Sequence, residues 1–133
     1  MTGRARVLLA DDHPAVLEQL RTLLGHDFDV VACVRDGYGL LGAALVLRPD
    51  VVVSDVAMPG MDGIDAVARI HRECPTLPVV LVSVHGEMAL VERGLRAGAL
   101  GYVLKASAGE DLVPAVQAAL RGEKHVSPQL IKL

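Results

Sequence analysis

The chain has 133 residues, 52% of them apolar and 22% charged, with a net charge of −3. That length suits one domain, and the apolar content excludes intrinsic disorder. Thirteen basic against sixteen acidic side chains, with no block of either sign, make a poor nucleic-acid binder by itself.

Residues 6–10 form a short run of branched apolar side chains. Nearly continuous Val and Leu without polar alternation reads as a buried strand with both faces covered. Val16, Leu20, Leu23 and Leu24 then share one helical face, with Pro14 suited to the first turn. The strand pattern repeats at 30–34. Asp36 is placed to cap a second helix running to Leu47, which must stop before Pro49 because a residue preceding proline avoids the α region. A third strand at 51–54 leads to a helix that starts after Asp62, an N-cap candidate. This helix carries Ile64, Val67, Ala68 and Ile70 toward Pro75.

A fourth strand at 79–84 precedes a helix from about Glu87 to Ala97, with Gly98 as its terminator. A fifth at 101–104 precedes Ser107-Ala108-Gly109-Glu110, which has the capping-box form. Leu112, Val116, Ala119 and Leu120 continue that helix toward Gly122. Pro114 conflicts with it, so the helix either kinks there or begins later. Cys33 and Cys74 match no metal spacing and are expected as small, reduced core residues. With only Phe28, Tyr38 and Tyr102 aromatic, the core must be packed from Val, Leu, Ala and Ile.

Five βα units in succession imply a parallel sheet covered on both faces, joined by right-handed crossovers. Residues 1–122 make that domain, and the tail 123–133 shows only an amphipathic hint in Pro128-Gln129-Leu130-Ile131-Lys132-Leu133. No apolar run reaches the roughly 18 residues of a membrane span, and residues 7–10 are too few for a secretory signal. A cytoplasmic location without membrane contact is therefore expected.

Ligands of open parallel sheets bind beyond the carboxyl ends of the strands. Those ends are Asp11 and Asp12, Asp55, Ser83 and Lys105. Crowded carboxylates repel one another unless a cation lies between them, and hard oxygen donors suit Mg²⁺. A carboxylate can also act as a nucleophile toward phosphorus, with an amine and a metal neutralising the transferred group.

Asp11-Asp12-His13-Pro14, Asp55-Val56-Ala57-Met58-Pro59-Gly60-Met61-Asp62-Gly63, Ser83 and Gly101-Tyr102-Val103-Leu104-Lys105 together resemble the receiver domain of two-component response regulators. The Asp-Asp-His-Pro opening and the ending around 122–128 resemble the branch whose receivers precede a LuxR/NarL-type helix-turn-helix domain. The resemblance covers essentially the whole chain. It implies a flavodoxin-like α/β fold with a five-stranded parallel sheet in the order 2-1-3-4-5.

By the same resemblance, Asp55 would be the phosphoacceptor, with a sensor histidine kinase as donor. Asp12 would bind Mg²⁺ directly and Asp11 mostly through water, with Asp55 and the backbone carbonyl of Ala57 as further ligands. Lys105 would pair with the phosphoryl group, and Ser83 would swing toward it. Tyr102 matches the aromatic position that turns inward when the hydroxyl moves. Catalysis would be limited to Mg²⁺-dependent self-phosphorylation and dephosphorylation at Asp55.

A phosphorylation-dependent homodimer is a further implication, as is DNA contact through a C-terminal domain absent from this chain. Residues 123–133 would then begin the linker to that domain. The alternative is a stand-alone regulator working through protein contacts.

Several positions depart from the family's pattern. Val84 stands where a smaller side chain is usual and would crowd the phosphoryl pocket. Ala57 and His85 flank the expected path of attacking water and bear on the phosphoryl lifetime. Ala106 stands where many relatives have a proline with a cis peptide bond. His13, Met58, Pro59, Gly60 and Gly63 are read as shaping their loops, and Tyr38 as a partly exposed helix residue.

Two rival readings fit less well. Phosphatases of the haloacid-dehalogenase type want a second acid two residues after the nucleophile, where this chain has Ala57. A flavin-binding module wants a hydroxyl- and glycine-rich first loop, whereas Asp11-Asp12 would repel a phosphate.

Overall fold

Each branched apolar run becomes a strand in the computed structural model, which describes residues 3–131. The strands are β1 (Arg6–Ala10), β2 (Asp29–Val34), β3 (Val51–Asp55), β4 (Val79–Ser83) and β5 (Gly101–Leu104). The helices between and after them are α1 (Pro14–Gly25), α2 (Gly37–Leu47), α3 (Gly63–Glu73), α4 (Met88–Ala97) and α5 (Ala108–Leu120). A two-residue strand β6 (His125–Val126) and a short helix α6 (Pro128–Ile131) follow. The sheet is parallel throughout, in the order β2-β1-β3-β4-β5-β6. The expected order 2-1-3-4-5 is present, with β6 added at the β5 edge. Lys132 and Leu133, the end of the amphipathic hint, lie outside the described residues.

Strand alternation divides the core into two layers. Val7, Leu9, Val51, Val53, Val80 and Val82 pack on one face with α1 and α5. Leu8, Ala10, Val52, Leu81 and Tyr102 pack on the other against α2, α3 and α4. The central strands β3 and β4 are buried along their whole length. β2 is not: as an edge strand it is half-exposed, which corrects the expectation that every run is covered on both faces. Cys33 lies on that edge and is exposed, while Cys74 sits at the C-terminus of α3, half-buried. Neither is a core residue.

Helix boundaries follow their punctuation. Asp36 accepts from the Gly39 amide at 2.6 Å and caps α2, and Asp62 accepts from the Asp65 amide at 2.8 Å and caps α3. Asp62→Ala is expected to cost about 1 kcal/mol, read as a lower urea midpoint at unchanged m value. Gly98 ends α4 in a conformation with φ of 125°.

The capping box at Ser107 does not form. Residues Lys105–Ser107 wind into a 3₁₀ turn continuous with α5, which leaves Ser107 at φ −108° and ψ 7°. An N-cap oxygen reaches the next turn from extended backbone, and Ser107 is not extended. Helix α5 begins at Ala108 and continues unbroken through Pro114, whose missing amide leaves the Glu110 carbonyl without its helical donor. Tyr38 is 64% exposed, as expected, and its ring lies on Gly60. Among the described residues, no helix is long and apolar enough to cross a membrane.

Candidate functional site

The carboxyl ends of β1, β3 and β5 deliver three of the expected side chains to one point. Lys105 Nζ lies 2.9 Å from Asp11 Oδ2 and 3.0 Å from Asp55 Oδ2, donating a hydrogen bond to the latter. Asp11 is fully buried and Asp55 nearly so at 4%, while Lys105 keeps 13% of its side chain exposed. An ammonium thus bridges two carboxylates that have almost no water.

Local structure fixes each of them. Asp11 Oδ1 accepts from the His13 amide at 2.9 Å, and Asp55 Oδ1 accepts from the Ala57 amide at 3.3 Å. Gly63 folds the loop after β3 back on itself: its amide donates to Val56 O at 2.7 Å, and a Cβ there would collide with the Asp55 carbonyl. The loop therefore closes only around glycine.

Burial pushes the Asp55 carboxyl above its ordinary value; Lys105 opposes this and the Asp11 charge reinforces it. For Lys105, burial works against the ammonium, but Asp11 and Asp55 together outweigh it and hold the amine above its usual value.

Asp12, 30% exposed, completes the acidic group, and His13 Nδ1 lies 3.1 Å from Asp12 Oδ1. Ligand atoms of Asp11, Asp12, His13 and Asp55 all fall within 4.8 Å of one another. Asp12 Oδ1 is buried without a hydrogen bond, and Asp11 Oδ2 has only its ion pair. Clustered carboxylate oxygens, with Asp12 Oδ1 short of a hydrogen bond, fit a hard divalent cation. His13, expected only to shape its loop, stands within this donor set. Its place directly after Asp11-Asp12 was the available signal.

Ser83 and Tyr102 meet at the ends of β4 and β5. Ser83 Oγ accepts from the His85 amide at 2.9 Å, and the Tyr102 hydroxyl donates to the His85 carbonyl at 2.8 Å. The Tyr102 side chain is fully buried, and burial raises its phenol above the usual value against the opposing Ser83 hydroxyl beside it. Tyr102→Phe is expected to cost about 1 kcal/mol in thermal or urea unfolding, since it strands the His85 carbonyl.

Val84, expected to crowd the phosphoryl pocket, lies just past the end of β4. Its side chain is 69% exposed and lines the mouth of a cavity between α1 and α5, beside Val16, Leu20, Lys105 and Ala108. The residue following Ser83 leaves the strand and turns outward. No peptide bond among the described residues is cis, so Lys105–Ala106 is trans. The sequence left out Ser127, which is fully buried and accepts from the Leu104 amide at 3.0 Å. The Ser-Pro pair before α6 was its only signal, as serine followed by proline at N1 marks a helix start.

A buried carboxylate at the end of β3, a lysine reaching it from β5 and an acidic pair after β1 define a receiver-type α/β domain. Residues 7–117 match the family model of the response regulator receiver domain. Over 122 residues the chain is 37% identical to the uncharacterized transcriptional regulatory protein YxjL of Bacillus subtilis, covering 90% of this chain and 56% of that protein. A LuxR-family two-component response regulator from an Aurantimonas species matches with a TM-score of 0.93 at 33% identity, covering 98% of this chain and 94% of that one. The signal receiver domain of the putative response regulator NarL from Mycobacterium tuberculosis matches with a TM-score of 0.86 at 35% identity, covering 92% and 100%.

The chain belongs to the response regulator receiver family, and its relatives include LuxR- and NarL-type regulators. Domains of this family are phosphorylation switches rather than ordinary enzymes. The chain spans little more than half the length of YxjL.

Proposed function

We propose that this domain, in the cytoplasm, accepts a phosphoryl group on Asp55 from a sensor histidine kinase and thereby switches an output. The observation that carries this reading is the buried Asp55 held by Lys105, with Asp11 and Asp12 alongside. An Asp55 oxygen forms the new O–P bond as the donor's N–P bond breaks, and the bonding pair leaves with the donor imidazole. Lys105 is already within reach of the Asp55 carboxylate and would follow the negative charge onto the phosphoryl oxygens. The Ser83 hydroxyl would turn from its own loop to one of those oxygens.

Asp11, Asp12, Asp55 and the Ala57 carbonyl would hold Mg²⁺, which supplies charge neutralisation on the transferred group. The output is a LuxR/NarL-type DNA-binding domain in a longer protein, reached through the segment after residue 122. Support comes from the likeness to YxjL, a transcriptional regulatory protein, and from the share of that protein left unmatched. Phosphorylation would then set the dimeric state of that longer protein.

Incubation of the chain with Mg²⁺ and a small phosphoryl donor should add one acid-stable, base-labile phosphoryl group. Peptide mapping of that group to a serine or histidine would overturn the reading.

A further inference from the structure

Residues 125–131 supply nothing to the phosphoacceptor chemistry, yet they are fastened to it. The Ser127 amide donates to the Tyr102 carbonyl at 3.0 Å, and the Ser127 hydroxyl accepts from the Leu104 amide at 3.0 Å. The segment thus grips β5 on both sides of Val103. Leu130, only 5% exposed, then closes over Gly86. A Cβ built on Gly86 would lie 2.8 Å from Leu130 Cδ2 and 3.3 Å from Leu104 Cδ2. A methyl at position 86 would meet the end of the Leu130 side chain, which must shift to admit it.

Gly86 belongs to the loop between β4 and α4, and the other holds on this loop come from the site. Ser83 Oγ accepts from the amide of His85, and the Tyr102 hydroxyl donates to its carbonyl. One short loop is therefore held by the hydroxyl expected to sense the phosphoryl group and, at the next residue, by Leu130.

We propose that residues 127–130 are a latch on the β4–α4 loop, and that phosphorylation of Asp55 releases it. The proposal rests on the reading of Asp55 as phosphoacceptor and of Ser83 as the hydroxyl that turns to it. Ser83 Oγ moves toward Asp55 either by leaving the His85 amide or by drawing the loop along. The second route shifts Gly86 directly and the first frees the His85 amide so that the loop can shift, and a gap of roughly 0.5–1 Å already forfeits a quarter to a half of a packing contact. Leu130 then loses its seat. Coupling of this kind is reciprocal, so weakening the latch must favour the phosphorylated arrangement.

The test uses the whole chain with beryllofluoride and Mg²⁺ as the phosphoryl mimic, titrated by calorimetry or fluorine NMR. Wild type should bind and Asp55→Asn should not; absence of binding to wild type overturns the phosphoacceptor reading and the latch with it. Given wild-type binding, Leu130→Ala and Gly86→Ala should each tighten it by about fivefold or more, while lowering Tm. Gly86→Ala acts from the loop side, by pushing Leu130 away. A merely structural contact would lower Tm and leave the affinity unchanged, and that result in both variants overturns the latch alone. Beryllofluoride should also speed hydrogen exchange at the Leu104 and Ser127 amides; undiminished protection there overturns the release.

Discussion

Lys105→Met is expected to destabilise the metal-free protein by about 3 kcal/mol at pH 7, the scale on which one partner of a buried ion pair is missed. The ammonium sits within 3.0 Å of carboxylate oxygens on both Asp11 and Asp55, and neither aspartate has appreciable contact with water. Methionine keeps the length of the stem and removes the charge, leaving two buried carboxylates face to face. Asp55, already raised by burial and by Asp11, loses the stronger of the two groups that oppose them and keeps only the Ala57 amide. Its folded-state pKa then climbs further above its unfolded value.

A carboxyl raised on folding costs nothing while protonated in both states, and its penalty grows as pH rises from the unfolded pKa to the folded one and then levels off. The deficit of Lys105→Met should therefore shrink as pH falls from 7 toward the ordinary carboxylate range. Saturating Mg²⁺ at pH 7 should also reduce it, because a cation among Asp11, Asp12 and Asp55 replaces the missing charge. Urea unfolding at pH 7 and pH 5, with and without Mg²⁺, measures all of this. Equal stability of the two proteins at pH 7 would show that the ammonium is dispensable to the fold.

The convergence behind this prediction was legible in the sequence because it follows from chain direction alone. Once 6–10, 51–54 and 101–104 are parallel strands, Asp11, Asp55 and Lys105 emerge at the same end of the sheet. Caps at Asp36 and Asp62 were legible for the same local reason: a short side chain that accepts a hydrogen bond stands before a periodic apolar segment. β6 was not, because its two residues are too few to show alternation and its pairing to β5 is a long-range event. The exposure of β2 depends on which strand ends up outermost, something composition does not encode. Ser107 failed as a cap because the turn beginning at Lys105 claimed its backbone. Local chemistry was readable, whereas outcomes set by neighbours in space were not.

Asp55→Asn is expected to abolish phosphorylation completely while leaving the fold intact and, near neutral pH without metal, more resistant to unfolding. The amide is nearly isosteric, and its oxygen can still accept from the Ala57 amide as Oδ1 does. Lys105 keeps Asp11, 2.9 Å away, so no buried ammonium is left unpaired. Burial, the largest influence on Asp55, disfavours its charge, and Asp11 adds repulsion. The native state therefore holds the Asp55 proton to a higher pH than the unfolded chain does. Wild-type stability must fall as pH rises through that window.

Asparagine carries no such proton. The stability advantage of Asp55→Asn should be absent below the ordinary carboxylate pKa, open as pH rises above it, and stay level once wild-type Asp55 is fully ionised. Tm measured from pH 3.5 to 8 on both proteins reads the curve directly. A lower Tm for the asparagine variant at pH 8 would mean that the Lys105 ion pair outweighs burial. The acidic site would then be a net support of the metal-free fold, where burial and the Asp11 charge otherwise make it a cost.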